Sequence, residues 1–233
     1  MPVVSFDLAR KHYRDTGIAV LRQSADEIAV EFVRIELHGT PSPGAIAHYL
    51  SSPASSVGAS LLLINGAQGW KDPSNGLQHS RACERELNTP AKTGIPGHVK
   101  PANYAPFVSF SIQVFDELSK LKWPRFHRST QPPARAASGS FPLSAWRLLG
   151  LAPLPAKART RPSQRIEHLA ALKSLFKLHV ASSPNHDELQ ALVAGLAGIA
   201  IERGQLASVS FTGRPPFTLD GTWREGLIVN PCI

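Results

Sequence analysis

Hydrophobic and polar positions divide the first sixty-odd residues into recognisable elements. Residues 3–8, Val-Val-Ser-Phe-Asp-Leu, read as a strand carrying an acid near its C-terminal end. Arg14-Asp15-Thr16-Gly17 predicts a turn, and residues 18–22 a second strand. After a further turn at Gln23-Ser24-Ala25-Asp26, residues 28–37 set Ile28, Val30 and Phe32 among Glu31, Arg34 and Glu36 with a period near two, which predicts a third strand. Such short connections imply an antiparallel meander. A helix is expected around 44–50. The unbroken apolar run Ser60-Leu61-Leu62-Leu63-Ile64 then suits a central strand buried on both faces.

From 65 to 104 the chain is rich in Gly, Pro and Asn, a loop too long to serve only as a connector. Residues 104–121 predict a helix with Phe107, Phe110, Ile112, Val114, Phe115 and Leu118 on its apolar face. Residues 123–140 are basic, contain proline, and include a short strand leading to Phe141-Pro142. Residues 163–180 predict an amphipathic helix with Ile166, Leu169, Leu172, Leu175 and Phe176 on one stripe. Residues 187–203 predict a last long helix of small side chains that Gly204 terminates. The tail from 223 to 231 adds a short strand, and no internal repeat is present. Three antiparallel strands followed by helix, strand, helix, strand and helices is the order of an α/β, RNase H-like fold. It predicts a mixed sheet with three antiparallel N-terminal strands, further parallel strands and helices on both faces. The simplest organisation is one domain over 1–233 with a long inserted loop around 65–104.

Composition narrows the partners. The chain has 233 residues, enough for a sizeable core, and its 25 Lys and Arg against 17 Asp and Glu give a net charge of +8, which favours polyanions. Cys83 and Cys232 form neither a disulfide framework nor a CxxC spacing, which fits reduced thiols. No apolar run approaches the roughly 20 residues of a membrane span, and the N-terminus lacks a secretory pattern, so a soluble cytoplasmic protein is expected. The sequence leaves the oligomeric state undetermined. No Gly-x-Ser-x-Gly, Walker A loop, HExxH or GxGxxG occurs.

Several segments together resemble one family. They are Asp7 with Thr16-Gly17-Ile18-Ala19-Val20; residues 61–70; Phe141-Pro142-Leu143-Ser144-Ala145-Trp146-Arg147; Lys157; His186-Asp187-Glu188-Leu189-Gln190-Ala191-Leu192-Val193; and Glu225-Gly226-Leu227-Ile228 with Pro231. In order and nearly end to end, the chain resembles the domain of unknown function 429 family, a family of nucleases predicted to have an RNase H fold. The resemblance implies a metal-dependent nuclease acting on phosphodiesters. It places Asp7 and Asp187 as ligands of Mg²⁺ or Mn²⁺, with Asn65 lending an oxygen in the catalytic set. Where the family pattern carries an acid after the central strand, this chain has Asn65. Where an acid precedes the aromatic-Pro pair it has Gly139, and where a second aspartate follows in the last helix it has Gln190. Two-metal hydrolysis relies on several carboxylates to hold ions about 4 Å apart, so the losses predict weakened activity.

Each candidate also has an ordinary reading. Asp7 alone is equally a turn or cap residue, Asp187 equally a carboxylate favoured by a helix N-terminus, and His186 a solvated first-turn residue. The segment 120–177 holds twelve Lys and Arg, including Arg125, Arg128, Lys157, Arg159, Arg161 and Arg165, against Glu167 as its one acid. Such a run suits a phosphate backbone, with Lys157, Arg159, Arg161 and Arg165 as the nucleic-acid contacts and Trp70 as a stacking platform; a solvated basic surface is the alternative. Trp146 reads as core. His79 and Cys83 are spaced for one helical face, yet a structural thiol is the simpler account of Cys83. Besides the nuclease, two other functions stay open: a non-catalytic nucleic-acid-binding or scaffold protein, and a hydrolase of a small phosphorylated ligand.

Overall fold

The structure, a computed structural model, describes residues 1–24, 26–127 and 135–233, and of residues 53–56 the backbone alone. Ala25 of the second predicted turn and Arg128 of the basic run lie outside the described residues. The strands are β1 (Val3–Asp7), β2 (Gly17–Ser24), β3 (Glu27–Phe32), β4 (Leu61–Asn65), β5 (Ala136–Ser140), β6 (Leu178–Val180), β7 (Val209–Thr212), β8 (Phe217–Leu219), β9 (Thr222–Arg224) and β10 (Ile228–Pro231). The helices are α1 (Pro43–Ser56), α2 (Ala82–Glu86), α3 (Ala105–Lys120), α4 (Pro142–Leu148), α5 (Pro162–Leu175) and α6 (His186–Glu202).

Eight strands form one mixed sheet in the order β6-β3-β2-β1-β4-β5-β10-β7, and β8 and β9 pair separately. β1 pairs antiparallel with β2, and β2 with β3, as the short turns predict. β4 lies parallel to β1, and β5 parallel to β4. An antiparallel meander continued by parallel strands on the side of its first strand is the RNase H-like arrangement. It follows from the residues: the runs at 3–6 and 61–64 are apolar at every position except Ser5, because both faces are covered. On one face Val3, Leu21, Leu63 and Trp146 pack with Leu192 and Leu196 of α6. On the other, Phe6, Ile18 and Leu62 pack with Ile46 of α1 and Phe115 of α3. Burying each of these large side chains contributes roughly 1.5–3 kcal/mol.

The structure departs from the sequence pattern in definite places. The helix predicted over 163–180 ends at Leu175, and residues 178–180 become an edge strand parallel to β3. Of the predicted apolar stripe only Leu172 is fully buried, while Ile166 is 64% exposed. Periodicity there competed with the open edge of β3, whose unpaired backbone groups gain hydrogen bonds from a short strand. β3 itself stops at Phe32, and the helix expected at 44–50 runs over Pro43–Ser56. α2, α4, β7 and β8 are short elements without a readable period.

The 65–104 segment is ordered around two buried carboxylates. Glu225 accepts hydrogen bonds from Asp72 N, Asn75 Nδ2 and Ala82 N at 3.1, 2.7 and 2.9 Å. Glu84 accepts from Arg81 N, Arg81 Nε and Thr93 N at 3.0, 3.0 and 2.9 Å, and from the Thr93 hydroxyl. Among the described residues no helix is long and apolar enough to cross a membrane.

Candidate functional site

Strand register sets the floor of the site. Phe6 pairs Ile64 and Ile64 pairs Gly139, so the next row carries Asp7, Asn65 and Ser140 across β1, β4 and β5. In parallel register such side chains emerge on the same face, at the C-terminal strand ends where open α/β sheets place their ligands. Asn65 Nδ2 donates to Asp7 Oδ1 at 2.7 Å. Ser140 is 2% exposed and its Oγ has no hydrogen-bond partner among the described residues. Gly139, where the family pattern has an acid, stands one step back and faces the other way. A Cβ there would lie 3.0 Å from Leu227 O and 3.1 Å from Gln68 Nε2, so a glutamate would press into packed atoms.

The roof is the start of α6. Asp7 pairs Gly17 on β2, and a Cβ on Gly17 would meet Asp187 O at 2.0 Å. Only glycine lets the helix terminus come this close. Asn185 is the helix cap, accepting from the backbone of Asp187 and Glu188 at 2.9 Å each, while Glu188 accepts from Asn185 N at 2.7 Å. This capping box leaves the Asp187 side chain free for other partners. Lys157 Nζ donates to Asp187 Oδ2 at 2.5 Å and to Asp15 Oδ1 at 2.8 Å. His186 Nδ1 lies 3.0 Å from Asp187 Oδ1, and its Nε2 lies 2.9 Å from Pro155 O. With an acceptor at each ring nitrogen, only the imidazolium satisfies both.

Charge and burial then tune the groups. Burial pushes the Asp7 carboxyl up to about 7 from its ordinary 3.8; the Asn65 hydrogen bond opposes the rise, the negative charge of Asp187 adds to it, and His186 and Lys157 oppose it. Burial pulls His186 down, but its hydrogen bonds to Asp187 and Pro155 outweigh this and raise it. For Lys157, the bonds to Asp15 and Asp187 likewise outweigh burial and raise its pKa. A carboxyl held near neutrality in a cleft makes Asp7 a candidate functional group.

Of the residues singled out from the sequence, the structure brings Asp7, Asn65, Asp187, His186 and Lys157 together. Arg165 is partly buried and donates from Nη1 to Pro184 O at 3.3 Å, beside the α6 start. Arg159 and Arg161 are exposed and have no carboxylate partner among the described residues. Other members of the basic run point elsewhere. Arg125 is buried, donates to Gln68 O and Asp116 Oδ1, and lies 4.3 Å over the Trp223 ring.

Trp70 does not reach the cleft. It packs beside Ala67, Val99, Val108 and Ile112, and its backbone is tied to Trp223 O and Glu225 N at 2.9 and 2.8 Å. Gln190 accepts from Trp146 Nε1 at 2.8 Å instead of entering the site, and Trp146 is core as read. Cys83 is buried and its thiol is pushed up to about 12 by burial, while His79 precedes α2 and contacts Lys100 at 2.7 Å. They make no nucleophile pair.

Sequence reading missed Ser140, Arg10 and Lys11. Arg10 and Lys11 follow β1 directly and line a cavity of about 490 Å³ that opens beside Asn65 and Ser140. The signal was the pair of basic residues just past a strand-end acid. It was overshadowed by the denser run after residue 120.

The donor set does not fit the two-ion centre implied by the family resemblance. Among the described residues no group of three or more His, Cys, Asp or Glu is placed to hold a metal ion. Both oxygens of Asp187 already face cationic donors, Lys157 and His186, and Asp7 receives the Asn65 amide. The cleft supplies its own positive charge.

No protein-family model matches the chain and no curated protein does, so the resemblance to the domain of unknown function 429 family rests on the segments quoted for it. Among solved structures, the chain is similar to RuvC of Thermus thermophilus, with a TM-score of 0.44 at 11% identity over 88% of this chain and 97% of the other. T. thermophilus RuvC in complex with a Holliday junction substrate gives a TM-score of 0.42 at 13% identity over 88% and 96% of the two chains.

Proposed function

We propose that the chain binds the phosphate backbone of a nucleic acid across the cleft between Asp7 and Asp187, as a nuclease-like scaffold in which fixed side-chain cations stand in place of a two-metal hydrolytic centre. One observation carries this reading: Lys157 is bonded at once to Asp187 and Asp15 and remains 48% exposed at its side chain, so an ammonium group belongs to the cleft itself. Arg159 and Arg161 stand exposed just before α5 and Arg165 lies within it, close to Lys157 along the chain. With Lys157 already paired to two carboxylates, the three arginines predict a dependence of log affinity on log salt with a slope of about −2 to −3. Backbone contacts of this kind carry no sequence information, so strands of any sequence bind alike.

The test is fluorescence anisotropy with labelled single- and double-stranded oligonucleotides over a salt series, for the wild type and for Arg159→Glu with Arg161→Glu. Both positions are exposed, so the double variant folds normally, and it binds more weakly at low salt. Equal binding by the two proteins removes the backbone reading. The same mixtures are incubated with Mg²⁺ or Mn²⁺. Cleavage that disappears in Asp7→Asn would instead establish a metal-dependent nuclease at this site.

A further inference from the structure

The cavity beside Asn65 has features that backbone binding does not use. Its volume of about 490 Å³ is that of a small-ligand site, and three aromatic rings line it: Tyr104 and Phe107 at the start of α3, and Phe141 at the start of α4. Tyr104 and Phe107 are spaced to share one helix face. At the inner end stand two polar groups without a full set of partners. Arg81 is 4% exposed and gives its Nε to Glu84, so its Nη1 and Nη2 edge has no protein acceptor among the described residues. Ser140 Oγ is buried and unpartnered. The orphan Ser140 hydroxyl is costly unless a ligand satisfies it, and the Arg81 Nη edge stays open to one. Glu84 offers nothing to a ligand, because Arg81 and Thr93 occupy both its oxygens. At the mouth, Arg10 is partly buried and Lys11 exposed, and neither forms an ion pair among the described residues.

We propose that this cavity is a nucleotide pocket, with the base between Tyr104, Phe107 and Phe141 and its phosphate on Arg10 and Lys11. Apolar walls take the faces of a planar ring. The inner groups present donors, so they match a base whose edge offers a carbonyl oxygen. A free guanidinium edge pairs bidentately with guanine O6 and N7. A keto base, guanine or uracil, is therefore favoured over adenine. Because Asn65 and Ser140 belong both to this pocket and to the floor of the cleft, the nucleotide is either a free monophosphate or one unit turned out of a strand lying there. The second source rests on the backbone reading; the first does not.

The experiment is isothermal titration of the full chain with GMP, UMP, AMP, guanosine and inorganic phosphate. GMP and UMP bind, AMP about tenfold more weakly, and guanosine and phosphate more weakly than GMP. Tyr104→Ala and Arg10→Glu each reduce GMP affinity about tenfold. Lys11→Glu, at an exposed position, does the same in a protein whose melting is unchanged, which separates loss of binding from loss of fold. If GMP competes with a labelled oligonucleotide, the pocket takes a strand's own base; if GMP binds without competing, it takes a free nucleotide. Failure of wild type to bind any monophosphate at millimolar concentration, or binding unaltered by all three substitutions, overturns the pocket. GMP binding that Tyr104→Ala, Arg10→Glu and Lys11→Glu each weaken, together with oligonucleotide affinity insensitive to Arg159→Glu with Arg161→Glu, would remove the backbone reading and leave the pocket standing.

Discussion

Replacing Asp7 by Asn isolates the strain held in the site. The folded chain keeps the Asp7 carboxyl near 7 against an ordinary 3.8, because burial and the charge of Asp187 disfavour the anion. Between those two values the folded state therefore holds a proton that the unfolded chain has released. Stability then falls as pH rises through that window and levels off above about 7. Each pKa unit corresponds to about 1.4 kcal/mol, which puts a ceiling of about 4 kcal/mol on the cost of the ionised form. Partial exposure of Asp7 reduces this, and about 2 kcal/mol is expected. Asparagine is close in shape and keeps an oxygen for the Asn65 amide, so Asp7→Asn leaves stability near pH 4 almost unchanged and raises it by about 2 kcal/mol at pH 8. Urea denaturation at pH 4, 6 and 8 measures the difference, and a carboxyl ¹³C titration locates the group directly. His186 also loses stabilisation as pH rises, since its pKa is raised; the Asp7 charge is the smallest of the causes of that rise, so Asp7→Asn lowers the His186 contribution slightly as well. The same change in stability at every pH would refute the account of Asp7.

Three further outcomes are expected. Gly17→Ala brings a methyl group onto Asp187 O and forces the start of α6 away from β1, costing about 1–3 kcal/mol in urea denaturation and shifting the Asp7 titration. Glu225→Ala orphans the backbone amides of Asp72 and Ala82 and the Asn75 side chain, so amide exchange across 66–82 accelerates and stability drops by several kcal/mol, at about 1–3 kcal/mol per group. Cys83, buried with its thiol pushed up to about 12, stays unlabelled by a thiol reagent in the native protein, whereas partly exposed Cys232 reacts; unfolding in urea exposes both.

Periodicity along the chain was enough for the N-terminal meander and the central strand. The alternating and continuous apolar runs at 3–8, 18–22, 28–37 and 60–64 specify strands covered on one or both faces, and short turns specify the meander, because side-chain burial on a pleated surface follows a period of two. The grouping of Asp7, Asn65 and Asp187 came from the family resemblance, not from any local pattern. What no local pattern contains is pairing. Ser140 rather than Gly139 joins Asp7 and Asn65 because the β4–β5 register puts it in their row, and a shift of one residue turns a side chain to the opposite face. Lys157 reaches Asp187 because a segment thirty residues away in sequence folds against the start of α6, and Pro155 of that segment also holds His186, the neighbour of Asp187; only packing arranges this. The edge strand β6 formed where the predicted helix runs on to Val180, because an unpaired β3 edge outweighed a stripe that had little to pack against. Residue types and their local spacing thus determined the elements and the acids, while tertiary structure decided which charges meet, since electrostatic partners across the fold depend on distances that sequence separation does not encode.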